Sequence, residues 1–211
     1  MEHILAPFYY FTDDKRGLDP RRIADQLPKG CGIILRHYNT PDRANMAEQL
    51  SEICKERRLR LSISNDPALS ARLKVPGCHL PEYRIPQVPR LKSRYPGLTF
   101  TVACHSRRSL HLAARVGADA AFLSPLFPTR SHPGARTLGP VRAGLLLRDI
   151  PIPVYALGGI TPKSWQQLSL LPFAGFGAID GFEKGEFRSL GTVRADIPVS
   201  PYDRDGHRRS W

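Results

Sequence analysis

Phe122-Leu-Ser-Pro-Leu-Phe-Pro-Thr-Arg-Ser-His132 and Val154-Tyr-Ala-Leu-Gly-Gly-Ile-Thr161 share one grammar. Each is a short apolar run that breaks, at its C-terminal end, into loop residues. The first break offers hydroxyls and a basic side chain. The second is a Gly-Gly pair with a helix start directly behind it. A parallel-strand protein builds a phosphate pocket in this way, from bare backbone N–H groups with no Cβ in front of them. Two such loops in consecutive strand–helix units argue for a parallel α/β fold.

Working outward, the same alternation fills the chain. Strands are expected at Ile4 to Thr12, Gly32 to Leu35, Leu59 to Ser64, Cys78 to Leu80, Leu98 to Ala103, Ala120 to Leu123, Pro153 to Leu157 and Phe176 to Ile179. Asp19 precedes Pro20, Thr40 precedes Pro41, and Thr161 precedes Pro162. Each pair reads as an N-cap followed by proline at the first helical position. Pro67 opens a short helix, Pro86 to Tyr95 a weaker one, Ser106 caps a helix to Val116, and Pro140 to Arg148 is helical. Eight strand–helix units without a long insertion predict a single-domain (β/α)8 TIM barrel over residues 1–185. No GxGxxG follows the first strand, which speaks against a dinucleotide fold. Residues 186–211 carry few apolar side chains and read as a mobile C-terminal extension.

The totals agree with one globular domain. The chain has 211 residues, 41% hydrophobic and 24% charged. No apolar run is long enough to span a membrane, and the N-terminus lacks the pattern of a signal peptide. Cys31, Cys54, Cys78 and Cys104 are scattered without CxxC spacing. They read as reduced thiols of a cytoplasmic protein. The formal net charge is +12, and between Lys55 and Arg115 thirteen Lys/Arg face three acids. Without RGG runs, zinc-finger spacing or aromatic–basic alternation, this charge reads as solvated outer helix faces, not a nucleic-acid footprint. A polyanion-binding flank stays open as an alternative.

In such barrels the chemistry collects at the C-terminal strand ends. Four of the seven histidines fall there: His37, His79, His105 and His132. Histidine moves protons near neutral pH, and His105 is the first candidate for a catalytic acid/base. Arg36, Asn65, Thr129, Ser131, His132, Gly158, Gly159, Asp180 and Gly181 are the candidate substrate or phosphate residues. Asn65-Asp66 reads either as a helix cap before Pro67 or as a site for a substrate amine or Mg²⁺.

In order and spacing these pieces resemble the thiamine phosphate synthase and TenI superfamily. The likeness is carried by Tyr10-Phe-Thr-Asp13, Leu35-Arg36, Asn65-Asp66, Val102-Ala-Cys-His105-Ser, Gly117-Ala-Asp119, Pro125-Leu-Phe-Pro-Thr129 and Ala156-Leu-Gly-Gly-Ile-Thr161. The resemblance implies thiamine biosynthesis and one of two chemistries. A synthase joins a pyrimidine pyrophosphate to a thiazole phosphate with Mg²⁺, and Asp66 would then be a metal ligand. A TenI-like tautomerase shifts a proton on a thiazole carboxylate phosphate and needs no cofactor; the resemblance would give Gly158-Gly159 the phosphate, Arg36 the carboxylate and His105 the proton, with Glu82 or His37 as a second acid/base group.

The departures favour the second. Ile34 and Tyr38 stand where the synthase pattern has Gln and Lys. Pro67 replaces an Arg, Arg84 lies near a second metal-binding Asp, and Thr129-Arg-Ser-His132 replaces Thr-x-Thr-Lys. Pyrophosphate departure needs its charge neutralised, and this apparatus is thinned. His79-Leu-Pro81 with Tyr95-Pro-Gly looks closer to TenI. Asp180, where the family has a small polar residue, opposes a phosphate in both readings. The expected partner is a small phosphorylated thiazole, possible homo-oligomerisation aside. A diverged synthase and a non-catalytic phosphate-ligand barrel remain the alternatives.

Overall fold

A computed structural model of the chain describes residues 5–16, 18–131 and 133–187. His132 and the stretch 188–211, which holds most of the expected extension, lie outside the described residues. Eight strands alternate with helices: β1 (Phe8–Phe11), α1 (Pro20–Ala24), β2 (Gly32–Leu35), α2 (Arg43–Arg57), β3 (Arg60–Ser64), α3 (Pro67–Arg72), β4 (Gly77–Leu80), α4 (Val88–Arg94), β5 (Thr99–Cys104), α5 (Arg107–Arg115), β6 (Ala120–Leu123), α6 (Gly139–Leu146), β7 (Val154–Ala156), α7 (Pro162–Gln166), β8 (Gly175–Ala178) and α8 (Asp180–Glu183). All neighbouring pairs are parallel, and β8 closes on β1 with Tyr9 opposite Gly177, so the sheet is a complete (β/α)8 barrel.

The two-residue period of the strands sorts the core into two layers. Tyr9, Phe11, Ile34, Ala120, Phe122 and Tyr155 fill the barrel interior. Their neighbours Tyr10, Ile33, Leu35, Ala121 and Leu123 face outward, under the helices. Large rings inside are matched by missing side chains opposite. A Cβ on Gly32 would run into the Tyr9 ring, and one on Gly177 into Phe11. The upper interior layer is a T-shaped set: Phe11, His79 and Phe122, with centroids 4.9–5.5 Å apart. Burying a ring such as Phe122, fully inaccessible here, contributes roughly 1.5–3 kcal/mol. The same inward register, continued past the strand ends, aims Arg36, His105 and Ser124 at the mouth.

Helix starts follow the expected caps in three of four cases named by proline or serine. Asp19 accepts from the Arg21 N–H, Ser106 from Ser109, and Thr161 from Ser164. Thr40 does not cap α2. Asn39 is tied to the Asp14 carboxylate through its backbone and side-chain N–H groups, both at 3.3 Å, so residues 39–42 stay a loop and the helix begins at Arg43. The weak helix expected at Pro86 to Tyr95 is split: a 3-10 segment runs over Glu82–Gln87 and α4 follows from Val88. The eighth helix, implied by the count of units but given no residues by the sequence pattern, is the four-residue α8. Phe182 in it and Phe187 just after it pack on Phe176, so the barrel's packing reaches Phe187.

Candidate active site

Two cavities open at the C-terminal end of the barrel. The first, about 530 Å³, is bordered by Arg36, His105, Ser124, the loop from Pro128 to Ser131, the turn from Leu157 to Thr161, and Asp180. The second, about 550 Å³, lies over β1 and β2 between Asp13, Asp14, Lys15, Tyr38 and Asn39. Arg36, Arg130 and Ser131 form the wall they share.

The β7 turn is built for close approach. Gly158 and Gly159 have φ of +92° and +67°. Cβ atoms there would press on Pro125 and on Phe127 and Pro128, so only glycine fits. Leu126 and Phe127 donate to the carbonyls of Leu157 and Gly158 at 2.9 and 3.0 Å, zipping the β6 loop to the turn. Ser164, inside the capping box of α7, donates to the Gly159 carbonyl at 2.9 Å.

His105 follows β5 and is half-exposed. Its Nδ1 lies 2.9 Å from the Ser124 carbonyl. A carbonyl only accepts, so Nδ1 carries the hydrogen and Nε2 holds the lone pair in the neutral ring. Nε2 stands 3.7 Å from Glu82 Oε2. The Ser124 carbonyl thus orients the His105 ring at the first cavity, with Glu82 at ion-pair distance behind it and bordering neither cavity itself.

The other histidines are placed differently. His37 is buried, bonded through Nδ1 to Thr12 Oγ1 at 2.8 Å, and borders neither cavity. Burial holds its pKa below the usual value. The same Thr12 oxygen accepts the Arg36 N–H at 2.9 Å, so His37 and Thr12 hold the backbone that carries Arg36. His79 lies under the mouth, bonded to Thr101 at 3.0 Å. Burial, aided by the charge of Arg36, lowers its pKa to about 3 and keeps it neutral.

The remaining candidates divide. Thr129 and Ser131 border the first cavity, and Ser131 donates to Asp13 at 3.2 Å. Asp180 meets Arg130 at 3.5 Å, so its carboxylate is partnered there. Gly181 faces the core, where a Cβ would strike Phe187. Asn65, in a left-handed conformation with φ +62°, is held by Arg84 and borders neither cavity. Asp66 caps α3 through the Leu69 N–H at 2.9 Å and faces Arg43 at 3.5 Å.

Arg136 and Lys184 also border the first cavity, and sequence reasoning missed both. Arg136 sits in an irregular loop without a pattern, and Lys184 follows α8, too short to leave one. With Arg36 and Arg130 they set four cations against the Asp180 carboxylate, a field suited to a polyanionic small ligand.

Comparison with known proteins follows the same line. A family model described as thiamine monophosphate synthase, TMP-TENI, matches residues 8–180. The chain is 32% identical over 148 residues to a putative thiamine-phosphate synthase 2 of Aquifex aeolicus, covering 68% of this chain and 77% of that one. It is 24% identical over 163 residues to the thiamine biosynthesis bifunctional protein ThiED of Geobacter sulfurreducens, covering 76% of this chain and 33% of that longer one. The solved thiamine phosphate pyrophosphorylase from Pyrococcus furiosus superposes with a TM-score of 0.71 at 18% identity, over 88% and 91% of the two chains, which is a likeness of fold.

Proposed function

The chain belongs to the thiamine monophosphate synthase (TMP-TENI) family, and on that premise we propose that it binds a thiazole carboxylate phosphate and moves a proton on it. The observation that carries this reading is the oriented His105: Nδ1–H on the Ser124 carbonyl, Nε2 toward Glu82 at the edge of the cationic cavity. The phosphate lies on the backbone of the Gly158–Gly159 turn, whose left-handed φ values and tight packing on the β6 loop admit only glycine. Arg36 takes the carboxylate. Nε2 removes a proton from one ring position, and the ring electrons relocate into a new double bond. The imidazolium, half-exposed and so in exchange with solvent, returns a proton at a second position, and the isomer forms with no net gain or loss of atoms. Glu82 stabilises the imidazolium while it exists.

The synthase reaction would require Mg²⁺, and the residues at the β3 end do not fit it. Asp66 is occupied by the Leu69 N–H and Arg43, and Asn65 by Arg84. Among the described residues no group of three His, Cys, Asp or Glu side chains is arranged to hold a metal ion. No step is therefore routed through a metal. One observation favours the synthase as the second reading: the second cavity is large enough for a second small substrate, and it shares Arg36 and Arg130 with the first.

Mixing the protein with thiazole carboxylate phosphate in excess chelator, and following isomerisation by NMR, tests the proposal. His105→Gln is expected to lower the rate by about 10²–10⁴ with ligand affinity little changed. Pyrophosphate release on adding the pyrimidine pyrophosphate and Mg²⁺, without isomerisation in chelator, would establish the synthase instead.

A further inference from the structure

The corner where β3 and β4 open onto the mouth is short of hydrogen-bond acceptors. Arg43, from the first turn of α2, donates through Nη2 to the Ser64 carbonyl at 2.5 Å. Its Nη1 faces Asp66 Oδ2 at 3.5 Å, and the guanidinium lies over the Tyr38 ring, 5.6 Å from the centroid. Its Nε is buried with no acceptor among the described residues. Arg84 directs Nη1 at both oxygens of Asn65, 2.6 Å to Oδ1 and 3.1 Å to the carbonyl. The other Asp66 oxygen is taken by the Leu69 N–H. Ser64 Oγ is bonded to the Tyr38 hydroxyl at 2.5 Å.

Each of these oxygens already shares a lone pair with a donor, two cationic guanidinium groups stand against them, and one buried donor is left over. A hard divalent cation demands the reverse: a surplus of oxygens and no competing N–H. The surplus of donors is a property of the corner's own wiring, and none of Arg43, Ser64, Asn65, Asp66 and Arg84 borders either cavity.

We propose that Arg43 and Arg84 are resident cations of this corner and determine the substrate class of the site. They close the Asn65–Asp66 oxygens to a divalent ion, so the protein takes a single anionic ligand on its β5–β8 side and not a metal–pyrophosphate pair. The ligand's identity rests on the function proposed above; the exclusion of the metal does not.

The test is a Mn²⁺ titration of the full chain, without organic ligand, read by the electron paramagnetic resonance of the free ion. Wild type is expected to leave the free-ion signal undiminished. Arg84→Glu, which turns the resident cation into a carboxylate, is expected to bind Mn²⁺ at least about tenfold more tightly than wild type. Adding Asp66→Asn to it is expected to remove the gain. Arg84→Gln, which leaves the fold less burdened, should shift binding in the same direction by less. Mn²⁺ binding by wild type that Asp66→Asn abolishes would overturn the proposal. So would the absence of any gain in a folded Arg84→Glu, or in Arg84→Gln should the charge reversal not fold. Turnover in chelator is a separate readout, so failure here and failure of the tautomerase reading are told apart.

Discussion

His79 makes the acid stability of this barrel calculable. It is 5% exposed among Phe11, Phe122 and Thr101, and burial lowers its pKa to about 3. In the unfolded chain its pKa returns to about 6.5. The folded state therefore binds fewer protons below pH 6.5, and the stability due to this group is complete above that pH and lost as pH falls toward 3. At pH 4.5 the unfolded histidine is two units past its midpoint, while the folded one is still neutral. The loss is about 1.4 kcal/mol per unit, or roughly 3 kcal/mol between pH 7 and 4.5. His37, whose pKa is also lowered by burial, adds a contribution of the same sign. Urea unfolding of wild type and His79→Gln at the two pH values isolates the His79 share, because the carboxylates titrate alike in both proteins. The variant should lose roughly 3 kcal/mol less on acidification. Equal losses would refute the reasoning, since His79 would then be charged or hydrated in the folded barrel. The consequence for function is that the floor of the mouth stays uncharged, and the cations among the described residues bordering the first cavity are Arg36, Arg130, Arg136 and Lys184.

Thr12→Val keeps the shape of a fully buried side chain but strands the Arg36 N–H and His37 Nδ1. It should cost about 2 kcal/mol, or several degrees in Tm, and raise KM more than it lowers kcat; Thr12→Ser should restore most of both. Asp180→Asn removes the one carboxylate that borders the first cavity among the described residues. It should tighten inorganic phosphate binding by roughly three- to tenfold in low salt, with the gain shrinking as salt is added. Unchanged phosphate affinity by calorimetry would mean that Asp180 already points away from the anion.

The barrel was legible because its signals are local. Asp19-Pro20, Ser106 and Thr161-Pro162 mark helix starts by chemistry confined to four residues. Which face of Tyr9-Tyr10-Phe11 and of Ala120 to Leu123 is the interior was not legible, because these strands are apolar on both faces and only barrel closure sorts them. The mouth was legible in part. Strand-end position placed Arg36, His105 and the Gly158–Gly159 turn, since the register of a strand continues past its last pair. What depended on partners elsewhere in the chain was not legible. Thr40 lost its cap to a contact between Asn39 and Asp14. His37 shares a strand end with Arg36, yet its ring turns to Thr12, which only the β1–β2 register brings beside it. Arg43 reaches Ser64 and Asp66 from the neighbouring helix, a direction set by packing and not by spacing. Lys184 became part of a cavity through α8, a four-residue helix too short to leave a periodic pattern.

The central claim is metal-independent proton transfer by His105. Its most direct measurement is NMR of thiazole carboxylate phosphate with wild type and His105→Gln, in deuterated buffer containing chelator. The account predicts isomerisation by wild type with solvent deuterium entering at the protonated position, and a variant slower by about 10²–10⁴. Binding without isomerisation, or equal rates in the two proteins, would contradict it.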